Sequence, residues 1–251
     1  MQGGNRRPAL LELDGLRRAF GSVVVADDLS LAVAAGETVG IVGPNGAGKT
    51  SVLNLITGAL RADGGRILFD GTDISRLPAH DRARLGIGRT FQVPRPFGGM
   101  TVFENVLLGA TYAAGSRLEG ADAAAVSVEA LDQTDLLGRA NVVAGSLPLL
   151  DRKRLELARV LATRPRLLLL DEIAGGLTEG EVRDLVETVR RLRTSGVTIV
   201  WIEHIVHALV SVVDRLVAMS FGRKLAEGEP RTVLEDSTVQ AVYLGTREAT
   251  A

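Results

Sequence analysis

Residues 43–50 read GPNGAGKT, and a serine follows at position 51. The stretch matches the phosphate-binding pattern G-x-x-x-x-G-K-[ST]. An apolar run, TVGIV at 38–42, precedes it, and a helical pattern at 51–60 follows it. Because the motif needs a strand before it and a helix after it, this setting favours a nucleotide-binding loop over a glycine-rich turn that happens to precede a helix.

The loop has the chemistry that phosphates require. Its glycines allow consecutive backbone N–H groups to turn inward, and the positive end of the next helix adds to their attraction for β- and γ-phosphates. Lys49 supplies a point charge, and Thr50 offers a hydroxyl to Mg²⁺. The residues of the loop predicted to bind phosphates are Gly43, Pro44, Asn45, Gly46, Ala47, Gly48, Lys49, Thr50 and Ser51.

Composition narrows the class of protein. A chain of 251 residues suits one large α/β domain or a core with a small inserted subdomain. With 29 basic and 30 acidic residues there is no global basic field, so we expect no nucleic-acid partner. A local basic cluster, which we interpret as a solvated helix face rather than a docking surface, contains Arg82, Arg84, Arg89 and Arg95.

Other classes are disfavoured by what the chain lacks. It has no cysteine, which excludes disulfides, zinc–thiolate sites and thiol catalysis. The longest stretch without charged residues lies between Glu104 and Arg117 and is shorter than the roughly 20 apolar residues of a membrane span. The first residues, MQGGNRRP, contain no apolar signal core. We therefore expect a soluble protein, or one that only its partners hold to a membrane.

Apolar runs alternate with helical patterns, which predicts a parallel sheet covered on both faces. The strand-rich front predicts an antiparallel edge, and residues 101–162 read as an inserted helical subdomain with a break at 145–148. Predicted strands lie at 10–16, 22–26, 29–33, 38–42, 66–70, 87–92, 167–170, 197–202, 216–220 and 224–227, and predicted helices also at 76–85 and 179–194.

A second motif, LLLLDE at 167–172, is an apolar strand that ends in two carboxylates. Ligands bind at the carboxyl ends of strands in open α/β sheets, so Asp171 is placed to hold Mg²⁺. Glu172 leaves the strand on the other side and could act as general base towards water. The alternative, a polar strand end with two solvated acids, is disfavoured by the phosphate-binding loop upstream.

Three further residues are candidate site residues, and each of them also has a purely structural interpretation. Gln92 ends the predicted strand GIGRTFQ, and its amide oxygen could reach Mg²⁺ or water; a plain polar strand end is the alternative. His204 follows the strand VTIVWI and could bond the γ-phosphate and orient water, or simply cap the strand. Phe20, in a predicted turn, could stack on adenine or pack in the core.

These segments, in this order, resemble an ABC-type ATPase subunit: GPNGAGKTS, GIGRTFQ, RKRLELARVL, LLLLDE and WIEH. The segment GRTFQVPRPFGGMTVFENVLLGA and the tail LAEGEPRTVLEDSTVQAVYLG are similar to the ATPases of branched-chain amino-acid importers, and the lipopolysaccharide-export ATPase has a similar tail. The implied fold is the α/β P-loop NTPase ABC-ATPase fold, with an antiparallel β edge subdomain and an inserted helical subdomain. Residues 1–251 then form one domain, with the core and β-subdomain at about 1–92 and 162–251 and the helical insert at about 93–161.

The resemblance also implies partners and roles. A second ABC ATPase subunit, identical or different, would pack head to tail and sandwich ATP and Mg²⁺. Transmembrane permease subunits would hold the chain at the cytoplasmic face of the membrane, and a solute-binding protein would act indirectly. By resemblance, the roles are adenine stacking for Phe20, the loop glutamine for Gln92, the metal-holding acid for Asp171, the catalytic base for Glu172 and the switch histidine for His204.

One segment departs from the family pattern. Where such ATPases have LSGGQ or LSYGQ, this chain has LPLLD at 147–151. Pro148 has no N–H, Leu149 and Leu150 are bulky, and Asp151 is negative, so we expect a poor surface for a partner's ATP, partly compensated by the basic residues at 152–154. In the next loop, Ile173, Thr178 and Glu179 replace the usual proline, asparagine and proline.

The expected function is an ATPase subunit that energises import of branched-chain or related amino acids or small polar solutes. The alternative is an ATP-binding subunit with impaired turnover, acting as the regulatory half of a heterodimer. A soluble ABC ATPase of repair or translation would carry coiled-coil inserts or tandem domains, and a GTPase would carry an N-K-x-D tetrad; neither pattern is found here.

Overall fold

A computed structural model describes residues 8–112 and 118–248, with side chains as far as Val242. The strands of the described residues are β1 (Ala9–Phe20), β2 (Val23–Ala34), β3 (Thr38–Val42), β4 (Gly64–Phe69), β5 (Thr72–Asp73), β6 (Ile87–Arg89), β7 (Leu167–Asp171), β8 (Thr198–Ile202), β9 (Arg215–Ser220) and β10 (Arg223–Gly228). The helices are α1 (Lys49–Thr57), α2 (Ala79–Arg84), α3 (Val102–Thr111), α4 (Gly120–Gln133), α5 (Leu149–Leu161), α6 (Glu179–Thr194), α7 (Val206–Val210), α8 (Pro230–Glu235) and α9 (Ser237–Glu248).

The larger sheet has six strands in the order β10-β9-β3-β8-β7-β6. Neighbours from β9 to β6 are parallel, and only β10 runs antiparallel, to β9. This confirms the predicted parallel sheet. Since parallel strands end at a common edge, the residues that follow Val42, Asp171 and Ile202 meet there.

Strand β7 shows how the sheet is covered. All of its residues are buried, and successive side chains point to opposite faces. Leu168 and Leu170 pack in the core cluster that includes the residues of α3–α6, whereas Leu167 and Leu169 pack in the cluster around α1 and the smaller sheet. A strand buried on both faces has to be apolar throughout, which is why LLLL occurs here.

The smaller sheet is antiparallel, in the order β2-β1-β4-β5, and forms the predicted edge. The sequence predicted separate strands at 22–26 and 29–33, but β2 is continuous. Asp28 adopts a positive φ of 53° within the strand, and the pairing with β1 resumes on both sides after a shift of register. Aspartate tolerates this backbone better than most residues, so the strand bulges instead of ending.

The helical segment between β6 and β7 contains α3, α4 and α5, which contact one another. Two short 3₁₀ turns, Leu137–Arg139 and Ala144–Ser146, lie between α4 and α5, near the predicted break. Helix α6 has the predicted bounds, 179–194. Helices α7 and α8 were not expected from the sequence, because five or six residues are too few to show a helical period. Among the described residues, no helix is both long and apolar enough to cross a membrane.

Two predictions for the region around β6 need correction: the end of the strand and the solvation of the basic cluster. The strand ends at Arg89, not at Gln92, because β6 has β7 as its sheet neighbour and its last backbone bond to β7 is from Thr90 N to Leu169 O, at 3.0 Å. Gln92 lies in a bend beyond the strand. The basic cluster is a solvated surface only in part: Arg84 and Arg95 are exposed, whereas Arg82 and Arg89 are not. The Arg82 side chain is 2% exposed and donates to four carbonyl oxygens, two of them at the C-terminal end of α1, and Arg89 is buried in the sheet edge.

Candidate functional site

The glycine-rich loop connects β3 to α1 and surrounds a cavity of about 280 Å³. The first N–H groups of α1 have no intrahelical acceptor, and no side chain caps them, so the loop presents free donors at the positive end of a helix. This arrangement suits phosphate oxygens. The cavity is lined by Val23, Val25, Asn45, Gly46, Ala47, Gly48, Lys49, Thr50, Ser51 and Glu172.

Two glycines of the loop are required by packing. Gly48 has a φ of 96°, and a Cβ there would lie 2.3 Å from the Val25 carbonyl oxygen. A Cβ at Gly43, whose φ is 156°, would lie 2.3 Å from the Met219 carbonyl oxygen. Since real side chains never approach backbone so closely, only glycine allows the loop to lie against β2 and β9.

Lys49 closes the loop on itself. Its Nζ donates to the carbonyl oxygens of Gly43, at 2.7 Å, and Pro44, at 3.0 Å, and the residue is 5% exposed. Burial lowers the pKa of Lys49, while the nearby carboxylates of Glu172 and Asp171 act in the opposite direction. The ammonium group is therefore held inside the loop, at the place where phosphate charge would be neutralised.

Asp171, at the end of β7, has two contacts. Its Oδ1 accepts from the Thr50 hydroxyl at 3.3 Å, and its Oδ2 accepts from the Arg89 guanidinium at 2.7 Å. Arg89 also donates to Asn54 Oδ1 on α1, at 2.6 Å. Both side chains of the Asp171–Arg89 pair are less than a tenth exposed. The arginine is thus the cation that is directly paired with this buried carboxylate, and Lys49 attracts it from nearby.

Glu172 joins the two remaining polar candidates. Its Oε2 accepts from the Gln92 amide nitrogen at 2.6 Å, and its Oε1 lies 2.7 Å from His204 Nε2. The residue has a φ of +48°, which is unfavourable for a side chain with a Cβ. The fold therefore brings Gln92, Glu172 and His204 together beside the loop, although they lie on three different segments of the chain.

Phe20 lies at the end of β1, opposite Val23 of β2, which lines the cavity. The ring is 49% exposed, which excludes the core-packing alternative. The Arg18 guanidinium covers one face at 4.4 Å from the ring centroid and is itself paired with Asp63 at 2.6 Å. The other ring face is thus the one available for stacking on a base.

The LPLLD stretch leads into α5, and its charges are turned inward. The Asp151 carboxylate is buried and lies 2.6 Å from Arg139 and 3.7 Å from Arg154, so it does not face outward as the sequence suggested. Arg152 donates to the carbonyl oxygens of residues 145 and 147, and Lys153 is 5% exposed. Arg154 is paired with Asp135 and Asp151, so of the three basic residues at 152–154 only Arg152 is exposed, beside the exposed Pro148 and Leu149.

The residues around the loop fit Mg²⁺ only in part. Thr50 and Asp171 provide a hydroxyl and a carboxylate 3.3 Å apart, and both are oxygen ligands of the kind that Mg²⁺ prefers. Among the residues that the structure describes, no group of three or more metal-binding side chains occurs. A bound Mg²⁺ would therefore take most of its ligands from phosphates and water, as is usual at phosphate-binding sites.

A sequence profile of the family described as ABC transporter matches residues 26–175. The chain belongs to this family. As an ABC ATPase it is an ATP hydrolase coupled to transport, and the two sheets with their inserted helices are the ABC-ATPase fold that the sequence predicted.

Individual relatives cover nearly the whole ATPase. This chain is 38% identical to BraF of Pseudomonas aeruginosa, a high-affinity branched-chain amino acid transport ATP-binding protein. The match covers 94% of this chain and 98% of BraF. The chain is 35% identical to LptB of Haemophilus influenzae, a lipopolysaccharide export ATP-binding protein, over 94% of this chain and 98% of LptB. Among solved structures, MJ1267, an ATP-binding cassette in its ADP conformation, superposes with a TM-score of 0.87 at 31% identity, covering 95% of this chain and 99% of that one.

Sequence reasoning missed Arg89 as a site residue of this ATPase. It grouped the arginine with neighbouring basic residues, although GIGRTFQ begins as a buried strand and a charged side chain there needs a partner. Alternation along β6 could have shown that Arg89 lies in the sheet, but not that its partner is Asp171.

Proposed function

We propose that this ABC ATPase energises an importer of branched-chain or related amino acids or small polar solutes. The similarity to BraF over nearly the full length supports the solute class, and the similarity to LptB shows that related ATPases serve other cargoes. The observation that carries the catalytic part is the contact of one carboxylate, Glu172, with both His204 and Gln92 beside the phosphate-binding loop.

The site residues divide the work. Lys49 and the N–H groups of the loop bind the β- and γ-phosphates, and Phe20 stacks on adenine. Thr50 and Asp171 would hold Mg²⁺, with Gln92 as a further ligand, and the metal would supply positive charge to neutralise the phosphates. The residues that bind phosphates are Gly43, Pro44, Asn45, Gly46, Ala47, Gly48, Lys49, Thr50 and Ser51. The residues that would hold the metal are Thr50, Gln92 and Asp171.

Glu172 is the base of the hydrolysis step. Its ionised carboxylate accepts the proton of the attacking water, and His204 holds that carboxylate in place and orients the water. The contact of His204 Nε2 with Glu172 Oε1 requires one proton between the two atoms, which the imidazole supplies from Nε2. Because Gln92 binds the other carboxylate oxygen, movement of its segment would change the position of the base.

The proposed setting is a transporter complex. The chain would pair with a second ABC ATPase subunit, bind transmembrane permease subunits and lie at the cytoplasmic face of the membrane. A solute-binding protein would deliver the cargo without touching this chain. We place residues 93–161 as the helical insert within a single ATPase domain, and the exposed side chains of Phe91, Val93 and Phe97 next to Gln92 support permease contact there.

Uptake in cells tests the function. The Glu172→Gln chain replaces the native one, and uptake of radiolabelled leucine and valine is measured. Loss of a general base lowers turnover by about 100-fold or more, so uptake should fall to background. The matched control is Glu187→Gln, an exposed glutamate on α6 that is paired with Arg190 on the same helix, and this change should leave uptake unchanged. Normal leucine and valine uptake in the Glu172→Gln cells would contradict the proposed cargo.

We further propose that the partner is a different subunit with an intact signature segment. In the head-to-tail arrangement, the LPLLD stretch faces the partner's ATP, and it offers a proline without N–H and an exposed leucine. The comparisons give no support to the alternative of a subunit with impaired turnover, and this chain's own set of Lys49, Asp171, Glu172 and His204 argues for hydrolysis of the ATP that it binds.

Light scattering with Mg-ATP tests the pairing. The Glu172→Gln chain, which retains ATP, should remain monomeric when it carries the native stretch. The same chain with Pro148→Ser, Leu149→Tyr, Leu150→Gly and Asp151→Gln should double its mass, because N–H and hydroxyl donors then face the partner's γ-phosphate. ATP binding and thermal unfolding are recorded for both chains as controls. Dimer formation by the chain with the native stretch would show that LPLLD works and that a homodimer suffices.

A further inference from the structure

The carboxylate of Glu203 has no role in the mechanism above, yet it is the group nearest in sequence to the switch histidine. Glu203 follows β8 and precedes His204, and only 2% of its surface is exposed. A glutamate is rarely so deeply buried unless its charge is paired or hydrogen-bonded. Its partners therefore indicate what it does.

The partners are backbone N–H groups of two loops. Oε1 accepts from Ala174 N at 2.6 Å, and Oε2 accepts from His204 N at 3.1 Å. The backbone N–H of Ile205 also donates to the carboxylate. Ala174 lies two residues after Glu172, so a single side chain connects the segment of the proposed base with the segment of the proposed switch histidine.

Hydrogen bonds on both sides of Glu172 hold its strained backbone. Glu172, with its φ of +48°, donates its own N–H to the Ile202 carbonyl oxygen at 2.9 Å. Two residues later, Ala174 donates to Glu203. The backbone of Glu172 is thus fixed on both sides to the end of β8. Strained backbone conformations persist where the surroundings hold them from several sides, and Glu203 provides one of the two attachments.

A third segment reaches the same place. Lys153, on α5, is 5% exposed and attracts Glu203, and its Nζ donates to the Gln92 carbonyl oxygen at 3.4 Å. Burial raises the pKa of Glu203, the three backbone N–H groups lower it, and the charge of Glu172 raises it again. The carboxyl group of Glu203 is therefore enclosed by the Glu172 segment, the His204 segment and helix α5.

We propose that Glu203 is a positioning residue for ATP hydrolysis: it fixes the position of the Glu172 segment relative to the His204 segment, so that His204 contacts Glu172. The inference rests on the proposed roles of Glu172 and His204. Glu203 acts through Glu172 and His204, because its carboxyl group accepts hydrogen bonds from the backbone of their segments. Its loss should weaken the chemical step and leave ATP binding intact, because Glu203 is not among the residues that line the cavity of the phosphate-binding loop.

Hydrogen exchange of the full-length, nucleotide-free chain provides a readout that does not depend on activity. In Glu203→Ala, the amides of Ala174 and His204 should exchange roughly tenfold faster or more, as expected when a hydrogen bond to a charged group is lost. In Glu203→Gln the effect should be smaller, because the amide oxygen still accepts one of these bonds. An equal increase throughout the chain would overturn the proposal, since it would mean general destabilisation.

Turnover completes the test with the tagged full chain, purified with its accompanying subunits. Glu203→Gln should lower kcat by roughly tenfold or more, the range seen for groups that orient functional ligands, and should leave KM within about twofold. The control is Glu37→Gln, a part-buried glutamate that also accepts from a backbone amide, Ala34 N at 2.8 Å, and lies at the turn before β3. It should leave kcat unchanged.

The two proposals fail differently. Unchanged kcat in Glu203→Gln, together with an inactive Glu172→Gln chain, would overturn only the positioning role. Full activity of the Glu172→Gln chain would overturn the proposed base itself. A rise of KM in Glu203→Gln equal to the fall of kcat/KM would also overturn the positioning role, because it would show that Glu203 acts on ATP binding.

Discussion

Two buried aspartates in this ABC ATPase pair with arginines, and their surroundings differ. Asp171 lies at the edge of the parallel sheet, 2.7 Å from a buried Arg89 and within reach of the Thr50 hydroxyl. Asp151 lies in the first turn of α5, 2.6 Å from Arg139, whose side chain is about half exposed. Both ion pairs neutralise an acid inside the protein, but only Asp171 also has a partner on the phosphate-binding loop.

The comparison shows that an acidic residue near a nucleotide is not by itself a functional group. The sequence predicts that Asp151 places a negative charge beside the partner's ATP. In the structure the Asp151 carboxylate pairs with Arg139 and Arg154 of the helical segment, and the residues that the LPLLD stretch exposes, Pro148 and Leu149, are apolar. The neutral and apolar character of that surface, rather than electrostatic repulsion, is what would weaken the partner's site.

The largest expected loss of stability follows from removing the arginine that pairs with Asp171. Arg89→Ala removes the only side-chain cation bonded to this carboxylate among the described residues, and breaking a buried pair costs about 3–5 kcal/mol. The free energy of unfolding, measured in urea, should fall by about 3 kcal/mol, because nearby Lys49 still attracts the acid. Mg-ATP should restore more stability to the variant than to the native chain. A loss below about 0.5 kcal/mol would show that Arg89 does not neutralise Asp171.

A smaller effect is expected at Asp151. Asp151→Asn keeps the shape of the side chain and removes its charge, and Arg139 can then be solvated because it is half exposed. The free energy of unfolding should fall by about 1–2 kcal/mol, measured in the same urea titration, with ATP affinity unchanged within about twofold. If the variant instead bound ATP more tightly with unchanged stability, Asp151 would face nucleotide after all, and the two aspartates would be alike.

Much of the fold was predictable where the signal is local. Strand β3, the phosphate-binding loop and helix α6 follow from apolar periodicity and glycine spacing, and in the structure a capping box of Thr178 and Glu181 starts α6. The strand ending at Asp171 follows from four leucines and an acid. Such segments contain their own start and stop signals, so no knowledge of distant residues was needed.

The failures concern contacts with distant residues. Gln92 was placed in a strand because GIGRTFQ is apolar enough, but a strand lasts only as long as its neighbour pairs with it, and β7 stops pairing after Arg89. The arginine cluster was interpreted as solvated because sequence gives charge without burial. The bonds of Glu203 were not foreseen, since Ala174 lies 29 positions away.

The sequence by itself determined the nucleotide-binding character of this chain and its resemblance to ABC ATPases, because the phosphate-binding loop, the apolar strands and the acid pair are short patterns whose chemistry depends on neighbouring residues. Only the tertiary structure decided which charges serve the site. Arg89 and Asp171 are 82 positions apart and meet because β6 and β7 are parallel neighbours. Asp151, in a turn of α5 that faces Arg139, was removed from the surface by the same kind of long-range packing.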